Sequence, residues 1–454
     1  MFDFLSPSDP ELIIECSEHT TCTVTHSIVA ALVVFAILLT GFAYTTVLER
    51  RLIAWIQDRI GPNRAGPLGL LQPVADGLKL IFKQDVTPMN ADRVVYWLAP
   101  VLKVIPALIV LAVIPLGPPL LIPWIDGNWY RVAQGLIDPE VGILWILAIT
   151  SISVYGVTMA GWASANKYSM IGSLRSAASM ISYELSLGAS FAVPAMLAGS
   201  LSAVAIVEAQ SGSILNWFIF QNPLAGIIMA IALLAEVNRA PFDLPEAEQE
   251  LVAGHMTEYS GMKFALFFMG EYINMIGISV IFASMFLGGY NFILTDQIPI
   301  LGLVWLALKV VALLSIMIWI RATLPRMRYD QLMAFGWKVM LPLSLIALGW
   351  TSSTTVFADQ FDSPLVYAGS AITLFIIVAI GLWIFGRQQE PTPAAQGGDQ
   401  VEVMRVGGGG IGYLGLQFLG SLVAVPFLLF QTTQNAVDNL SDAVKKQDET
   451  DTKQ

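Results

Sequence analysis

The sequence predicts an all-α polytopic membrane protein. We expect a bundle of about nine transmembrane helices, or ten if a last apolar stretch also crosses, with an interfacial amphipathic helix beside it. Of the 454 residues, 56% are hydrophobic and only 13% are charged, whereas soluble domains carry about 25% charged residues. Uncharged apolar runs recur from one end of the chain to the other, which indicates many spans rather than a single anchor.

Nine apolar segments approach the length of about 20 residues that a helix needs to cross a bilayer. They lie at residues 27–48, 94–121, 142–163, 179–207, 224–237, 264–287, 302–320, 339–351 and 366–385. A tenth uncharged stretch, at 411–430, follows a linker rich in glycine, proline and glutamine. The chain therefore divides into an acidic external segment (1–26), a core of eight spans (27–351), an extra ninth span (352–387), and a linker with the candidate tenth span and a polar tail (388–454).

The distribution of positive charge predicts the orientation of the bundle. Lysine and arginine concentrate in the loops after the first, third, fifth and seventh spans, whereas the even-numbered loops contain only Arg131. By the positive-inside rule, the charged loops face the cytoplasm and the N-terminus lies outside. These inner loops are also long and rich in glycine and proline, so we expect the functional surface on the cytoplasmic side.

Few residues suit cofactor chemistry. Cys16 and Cys22 are the only two cysteines, and both precede the first span, whereas an iron–sulfur cluster takes four. They are either incidental thiols or, if the N-terminus faces an oxidising compartment, a disulfide. The sequence contains no Rossmann or Walker pattern, and we predict no metal site. The net charge of −11, without a basic cluster interleaved with aromatic residues, excludes a nucleic-acid partner.

The first inner loop predicts an amphipathic helix along the membrane surface. Between residues 68 and 83, Leu71, Val74 and Leu78 fall on one helical face, and polar residues fall on another. Such a helix lies in the interface rather than crossing it. The glycines and prolines of residues 61–67 predict an irregular loop that is buried in protein or lines a cavity. A helix that merely skirts the bundle is the structural alternative.

The third inner loop is the densest in carboxylates. Its acidic residues are Glu236, Asp243, Glu246, Glu248 and Glu250. Asp243 followed by Glu246 resembles a capping box that opens a new helix, so structure alone would explain Glu246. Glu246 and Glu250 would share a helical face, which is unfavourable if both are ionised. Such a pair needs arginine partners or raised pKa values, and raised pKa values suit a proton path.

Two further acidic residues, Glu184 and Glu271, lie inside predicted spans. At 1.5 Å per residue, Glu271 lies roughly 10 Å inside the inner membrane boundary. A charge at the centre of a transmembrane helix costs roughly 2.5–3.5 kcal/mol. These acids therefore either pair with a buried cation, Lys103 or Lys309, or belong to a proton or cation path. Two acids near an acidic loop on the same side favour the path.

Three arginines follow the seventh span: Arg321, Arg326 and Arg328. They lie on the same side of the membrane as the acidic loop, so we interpret them as fixed counter-charges for its carboxylates. A simple positive-inside anchor is the alternative.

Several short motifs occur in order between residues 48 and 350, each on an inner loop or the inner end of a span. They are Glu49-Arg-Arg, Arg59-Ile-Gly-Pro-Asn, Leu71-Gln-Pro-Val-Ala-Asp-Gly-Leu-Lys, Gly161-Trp-Ala-Ser, Ser182-Tyr-Glu, Glu236-Val-Asn-Arg-Ala-Pro-Phe-Asp, Glu271-Tyr and Arg326-Met-Arg-Tyr-Asp-Gln-Leu. With these motifs the chain resembles the membrane subunit of complex I, the proton-translocating NADH:quinone oxidoreductase, that is known as the H subunit in bacteria and as subunit 1 in mitochondria.

This resemblance implies a tilted bundle of eight or nine helices in the membrane arm of a respiratory complex. Peripheral quinone-reducing subunits would dock on its cytoplasmic face, and antiporter-like subunits and lipid would surround it in the membrane. The chain alone would not be catalytic. Electrons from NADH would arrive through FMN and iron–sulfur clusters on other chains, and quinone would be the shared substrate.

The resemblance also implies roles for individual residues. Quinone would enter past the interfacial helix and be reduced in a chamber shared with the peripheral subunits. The chamber residues would be Arg59, Arg64, Asp76, Arg321, Arg326 and Arg328. A line of acids would carry protons or the coupling signal onward, and it would comprise Glu49, Glu184, Glu236, Asp243, Glu246, Glu248, Glu250 and Glu271.

The acidic N-terminus and the chain after residue 366 lie outside the resemblance. Such additions are typical of bacterial members, which predicts a bacterial plasma membrane as the location. One alternative is the related membrane subunit of an energy-converting hydrogenase or of a ferredoxin- or deazaflavin-linked dehydrogenase. The others are a stand-alone cation/proton antiporter, which usually shows paired broken helices, and a passive scaffold, which the intramembrane acids disfavour.

Overall fold

The computed structural model describes residues 13–15, 20–123, 129–243, 253–293, 295, 298–361, 369 and 373. Within these residues the chain is mainly helical. Its α-helices are α1 (Thr20–Ile56), α2 (Gln72–Phe82), α3 (Arg93–Ile109), α4 (Gly142–Ala163), α5 (Lys167–Ala198), α6 (Ala203–Ala209), α7 (Phe218–Gln221), α8 (Pro223–Glu236), α9 (Gly261–Phe286), α10 (Ile300–Thr323), α11 (Tyr329–Phe335) and α12 (Leu341–Phe361). A π-helical stretch, Gly336–Met340, joins α11 directly to α12.

Seven helices of the described chain are long and apolar enough to cross a membrane. They are α1, α3, α4, α5, α9, α10 and the continuous helix made of α11, the π-helical stretch and α12. Helix α8 is apolar but has only 14 residues. These eight helices correspond to the first eight predicted spans and confirm the all-α polytopic fold. The predicted second span extends to residue 121, whereas its helical structure ends at residue 113. Apart from residues 369 and 373, the predicted ninth and tenth spans lie outside the described residues.

Helix α5 differs from the predicted fourth span, 179–207, at both ends. It begins at residue 167, where the Asn166 side chain accepts a hydrogen bond from the backbone of the first turn. It ends at residue 198, because Gly199 adopts the left-handed conformation with φ of 65°. Serines lower the hydropathy of its first turns, but several donate to carbonyls of their own helix. Their polar groups are therefore satisfied within the membrane helix.

Helices α5 and α9 lie at the centre of the bundle. Helix α9 packs against α1, α3 and α10, and α5 packs against α4, α8 and α12. Every residue of α9 from 270 to 286 is buried, whereas few residues of α1 are buried. A helix that is apolar on all sides belongs in such an interior, so α9 supplies much of the core and α1 presents its apolar surface to lipid or to other chains.

A small sheet lies at the end of the bundle opposite α2. Its strands in the described chain are β1 (Ile13–Glu15), β2 (Leu120–Pro123) and β3 (Trp129–Val132), with β3 parallel to β1 and antiparallel to β2. Cys22 of α1 packs against Tyr130 and Val132 and is disulfide-bonded. Cys16, the other cysteine of the sequence, lies outside the described residues. No strand is predicted here, because runs this short carry too little alternation to be recognised.

Candidate functional site

Helix α2 is a surface helix that follows the C-terminal end of α1. None of its described residues is buried, and the side chains of Val74, Leu78 and Ile81 are each at least half exposed. On its polar face, the Arg50 guanidinium donates to Asp76 Oδ2 at 2.6 Å. Burial raises the pKa of Asp76, but the hydrogen bond and charge of Arg50 and other partners outweigh it, so the pKa is lowered overall. The predicted interfacial helix is therefore present, and Asp76 attaches it to α1.

The loop before α2 is irregular and closely packed. Gly69 has a φ of 73°, and a side chain there would begin 2.1 Å from the carbonyl oxygen of Pro62. This position therefore requires glycine. Arg51 of α1 donates to a backbone carbonyl of the loop. The predicted chamber residues Arg59 and Arg64 both lie in this loop with exposed side chains.

A cavity of about 370 Å³ lies between α1, α2 and α9. Apolar side chains form much of its wall, among them Phe42 of α1, Ile81 of α2 and Phe268 of α9. Arg50 and Asp76, which pair with each other, also line it. Binding sites for small molecules have this size and combine apolar walls with a few polar groups. The cavity therefore suits a long apolar molecule with a small polar end.

Glu49, near the inner end of α1, is buried between two arginines. Arg321 of α10 donates to Glu49 Oε1, and Arg239 Nη1 lies 3.5 Å from the same oxygen. The Arg239 guanidinium also lies over the ring of Tyr272, with Cζ 4.5 Å from the ring centre. Tyr272 in turn lines the cavity. The cavity and the buried ion cluster therefore share a wall. Neither Arg239 nor Tyr272 is singled out from the sequence, although each lies within a quoted motif.

The three arginines at and after the C-terminal end of α10 have different partners. Arg326 Nη2 donates to Asp243 Oδ2 at 3.2 Å, and Arg321 belongs to the Glu49 cluster. Both therefore act as counter-charges to predicted acids. Arg328 differs, because its Nε lies 3.4 Å from Asp330 Oδ2 and both side chains are exposed. Exposed pairs of this kind contribute little to stability.

Three predicted acids lie around one buried lysine. Glu184 of α5 and Glu236 of α8 interact electrostatically, and the charge of Lys103 on α3 acts on Glu236. Lys103 also contacts α9, because a side chain added at the glycine before Glu271 would meet its Cγ at 3.0 Å. Ser151 of α4 donates to Glu184 Oε1. Lys103 thus lies beside Glu236 and against the part of α9 that carries Glu271.

Lys309 of α10, the other candidate cation, lies beside the C-terminal end of α9. Its Nζ donates to the carbonyl oxygens of Leu287, Gly289 and Asn291 at 2.7, 2.8 and 3.0 Å. Leu287 follows Glu271 by 287 − 271 = 16 residues, or about 24 Å at 1.5 Å per residue. Lys309 is therefore excluded as the partner of Glu271. Its charge instead satisfies the carbonyls where α9 ends.

Two buried basic residues are not predicted from the sequence. His255 lies in the turn before α9, with its ring edge-on to Phe267 at 5.5 Å between centres. Burial, with a contribution from the charge of Lys103, lowers the pKa of His255 to about 3, so the imidazole is neutral at physiological pH. Lys263 is buried and pairs with Asp85 at 3.0 Å. A histidine beside the acidic inner loop, in a chain with only three, is the signal that could have identified His255.

The predicted acids Glu246, Glu248 and Glu250 lie within residues 244–252, outside the described residues. The predicted capping box of Asp243 and Glu246 is therefore described only at Asp243. Over the described ranges, no cluster of three or more histidine, cysteine or acidic side chains could hold a metal ion. The described site therefore has two parts: the cavity with its Arg50–Asp76 pair, and the buried ion clusters behind it.

This fold and site define a class: multi-pass membrane proteins in which buried charges lie beside a cavity with mainly apolar walls. The family model described as NADH dehydrogenase matches residues 29–352. Three relatives extend the match over most of their own length. One of them, the first of two H subunits of NADH-quinone oxidoreductase from Geobacter metallireducens, is 50% identical over 320 residues, covering 70% of this chain and 93% of that protein.

The H subunits of NADH-quinone oxidoreductase from Thermomicrobium roseum and Deinococcus radiodurans are similar. The first is 48% identical over 332 residues, covering 72% of this chain and 94% of the relative. The second is 45% identical over 374 residues, covering 79% and 92%. The chain belongs to the family of H subunits of NADH-quinone oxidoreductase, complex I.

This chain is therefore a membrane subunit of an enzyme complex that transfers electrons from NADH to quinone, and it acts as part of that complex. Quinone is the substrate of the complex, and the other complex I subunits are its partners. These relatives set aside the hydrogenase-type subunit and the stand-alone antiporter.

Proposed function

We propose that this chain forms the membrane side of the quinone chamber and couples quinone reduction to proton translocation. The observation that carries the proposal is the residue shared by the cavity and the buried charges. Tyr272 lines the cavity and lies under Arg239, which is 3.5 Å from buried Glu49. Quinone reduction takes up electrons and protons, so it changes the charge in the cavity. Arg239 and Glu49, which lie beside the cavity, can respond to that change by exchanging ion-pair partners.

The cavity between α1, α2 and α9 supports a role as the entrance for quinone. A quinone has a long apolar tail, which suits the aromatic and aliphatic walls, and a polar head, which Arg50 and Asp76 can meet. The apolar face of α2 is uncovered within this chain, as expected of a helix in the membrane interface. The proposed chamber beyond the entrance comprises Arg59, Arg64, Asp76, Arg321, Arg326 and Arg328.

We assign the coupling path to acids on the inner side of the bundle. A carboxylate in a poorly solvated interior binds its proton more readily, so its charge responds to neighbouring charges. Lys103 is buried beside Glu236, and its positive charge acts on that carboxylate. The protonation of Glu236 is therefore linked to the charge of Lys103. The proposed path comprises Glu49, Glu184, Glu236, Asp243 and Glu271, together with Glu246, Glu248 and Glu250 of the following loop.

We place the complex in a bacterial plasma membrane, with the N-terminus outside and the loop before α2 in the cytoplasm. Trp55 and Ile60 are 80% and 81% exposed at this inner end. Large apolar side chains of this kind mark contact surfaces, which supports docking of the peripheral subunits that carry FMN and iron–sulfur clusters. A reporter fused after residue 59 should score cytoplasmic and one after residue 216 external. The reverse result would overturn the orientation.

The coupling role is tested by Glu184→Gln and Glu271→Gln in the whole complex in native membranes. Glutamine keeps the volume and hydrogen-bonding capacity of glutamate but cannot release a proton. We expect normal complex content, with quinone reduction slowed or proton translocation per electron reduced. Glu208→Gln, at an exposed position on the outer side, is the matched control and should be unchanged. Normal turnover and normal translocation in both inner variants would refute the coupling path.

A further inference from the structure

We propose that His255 relays protons between the inner surface and the buried Glu236–Lys103 pair. The inference rests on the proposed function, because it adds a branch to the coupling path. His255 belongs to none of the acidic motifs, and its turn directly follows the acidic loop at 244–252. It thus lies where a proton from the cytoplasmic side would meet the bundle.

The first observation is the surroundings of the imidazole. His255 is only 2% exposed, yet within the described residues neither ring nitrogen has a hydrogen-bond partner. Buried polar atoms in proteins are nearly always paired with protein groups or ordered water. A buried histidine with only a packing role would be expected to form at least one hydrogen bond through a ring nitrogen. A neutral imidazole can instead accept a proton at one nitrogen and release one from the other.

The second observation is a short polar route from this turn to Glu236. The turn packs against α5 at Gly172, where a side chain would meet Gly254 Cα at 2.7 Å. One helical turn deeper, Ser176 Oγ accepts a hydrogen bond from Asn238 Nδ2 at 3.1 Å, and Asn238 follows Glu236 by two residues. From Gly172 to Ser176 the helix rises about 6 Å, which is the length of about two hydrogen bonds.

Other polar atoms along this route are, like the ring nitrogens of His255, buried without a hydrogen-bond partner among the described residues. Asn238 Oδ1 and Glu236 Oε2 are two such atoms. Buried atoms of this kind hold ordered water in protein interiors. Hydroxyl groups and bound water would complete a proton-conducting line between His255 and Glu236.

The third observation is that Lys103 acts electrostatically on both ends of the route. Its charge bears on His255 and on Glu236. When Glu236 is ionised it offsets Lys103, so His255 takes up a proton more easily. That proton then passes on: an imidazolium N–H bond breaks, a carboxyl O–H bond forms at Glu236, and His255 returns to neutral. Among the described residues, the other titratable groups around the turn are Tyr96 of α3, Lys263 of α9 with its partner Asp85, and Glu258 and Tyr259 beside it. The residues of α4 and α5 packed here are not titratable: alanine, methionine, glycine and serine.

The test uses the whole complex in membranes with His255→Phe and His255→Gln. Phenylalanine keeps an aromatic ring against Phe267, glutamine keeps hydrogen-bonding groups, and neither carries a proton. We expect normal complex content and normal NADH oxidation by an artificial acceptor that bypasses quinone. Quinone-linked turnover should fall by at least about tenfold in both variants. The loss should grow between about pH 6.5 and about pH 8.5, because slow proton delivery makes turnover follow proton concentration.

His26→Phe, at the outer end of α1, is the matched control and should match the unaltered complex in rate and pH profile. Unaltered rates and pH profiles in either assembled His255 variant would overturn the relay. So would an assembly defect confined to His255→Phe with normal turnover in His255→Gln. Glu236→Gln separates the two levels. If it slows turnover while the His255 variants do not, the coupling path stands and the relay fails. If neither position affects turnover, the proposed coupling path fails as well.

Discussion

Replacing Glu49 by glutamine should destabilise the inner end of the bundle more than removing Arg321. The side chains of Glu49 and Arg239 expose 6% and 10% of their surface, and that of Arg321 exposes 33%. Removing one member of a buried ion pair costs about 3–5 kcal/mol, and solvent around Arg321 recovers part of this, so we expect about 3 kcal/mol for Glu49→Gln. Arg321→Gln leaves Glu49 with Arg239 and should cost about 1 kcal/mol.

The assay is the half-life of the assembled complex at one fixed elevated temperature. Only part of the change in stability appears in the unfolding barrier, so we expect the half-life of Glu49→Gln to shorten by about tenfold, and that of Arg321→Gln by less than about threefold. In the Glu49→Gln background, Arg239 and Arg321 are two unpaired arginines that repel each other, and Arg321→Gln removes this repulsion. The half-life of the double variant should therefore be longer than the two single effects multiplied together would give. A half-life of Glu49→Gln within about twofold of the unaltered complex, or purely multiplicative effects, would refute this reasoning.

Two further changes test other parts of the structure. Gly69→Ala should abolish quinone turnover, because a methyl group would lie 2.1 Å from a backbone oxygen at a left-handed φ, whereas Gly349→Ala, with nothing within 4 Å, should leave it intact. Equal turnover in the two variants, measured per assembled complex, would contradict the assigned loop geometry. Lys309→Met should shorten the lifetime of the complex but leave turnover per complex unchanged, since the lysine holds carbonyls far from the acids. Reduced turnover with a normal lifetime would contradict this role.

The spans are predictable from the sequence because apolar runs of sufficient length have few alternative structures. The start of α5 is not, because a hydropathy scale counts each serine as polar although several hydroxyls bond back to the same helix. The outer sheet also escapes prediction. Its pairing of β1 with β3 joins segments more than 100 residues apart, and nothing local in either segment indicates that partner.

Which residues carry charge inside the bundle is predictable, but how they pair is not. Glu49 and Arg321 are separated by 272 residues, and only the packing of α1 against α10 brings them together. Arg239 lies over Tyr272 for the same reason. The choice between Lys103 and Lys309 as the inner cation depends on which end of the bundle each lysine faces, and hydropathy alone leaves both open.

Helix α1 runs for 37 residues without a break, or about 55 Å, whereas the hydrocarbon core of a bilayer is about 30 Å thick. Disulfide-bonded Cys22 lies at its outer end and Glu49 lies 49 − 22 = 27 residues further on, about 40 Å away. A tilt of about 5° around the outer end would move Glu49 by about 3.5 Å. That displacement equals the distance from Glu49 to Arg239. A change in bilayer thickness, which influences helix tilt, would therefore alter the geometry of the buried charges at the C-terminal end of α1.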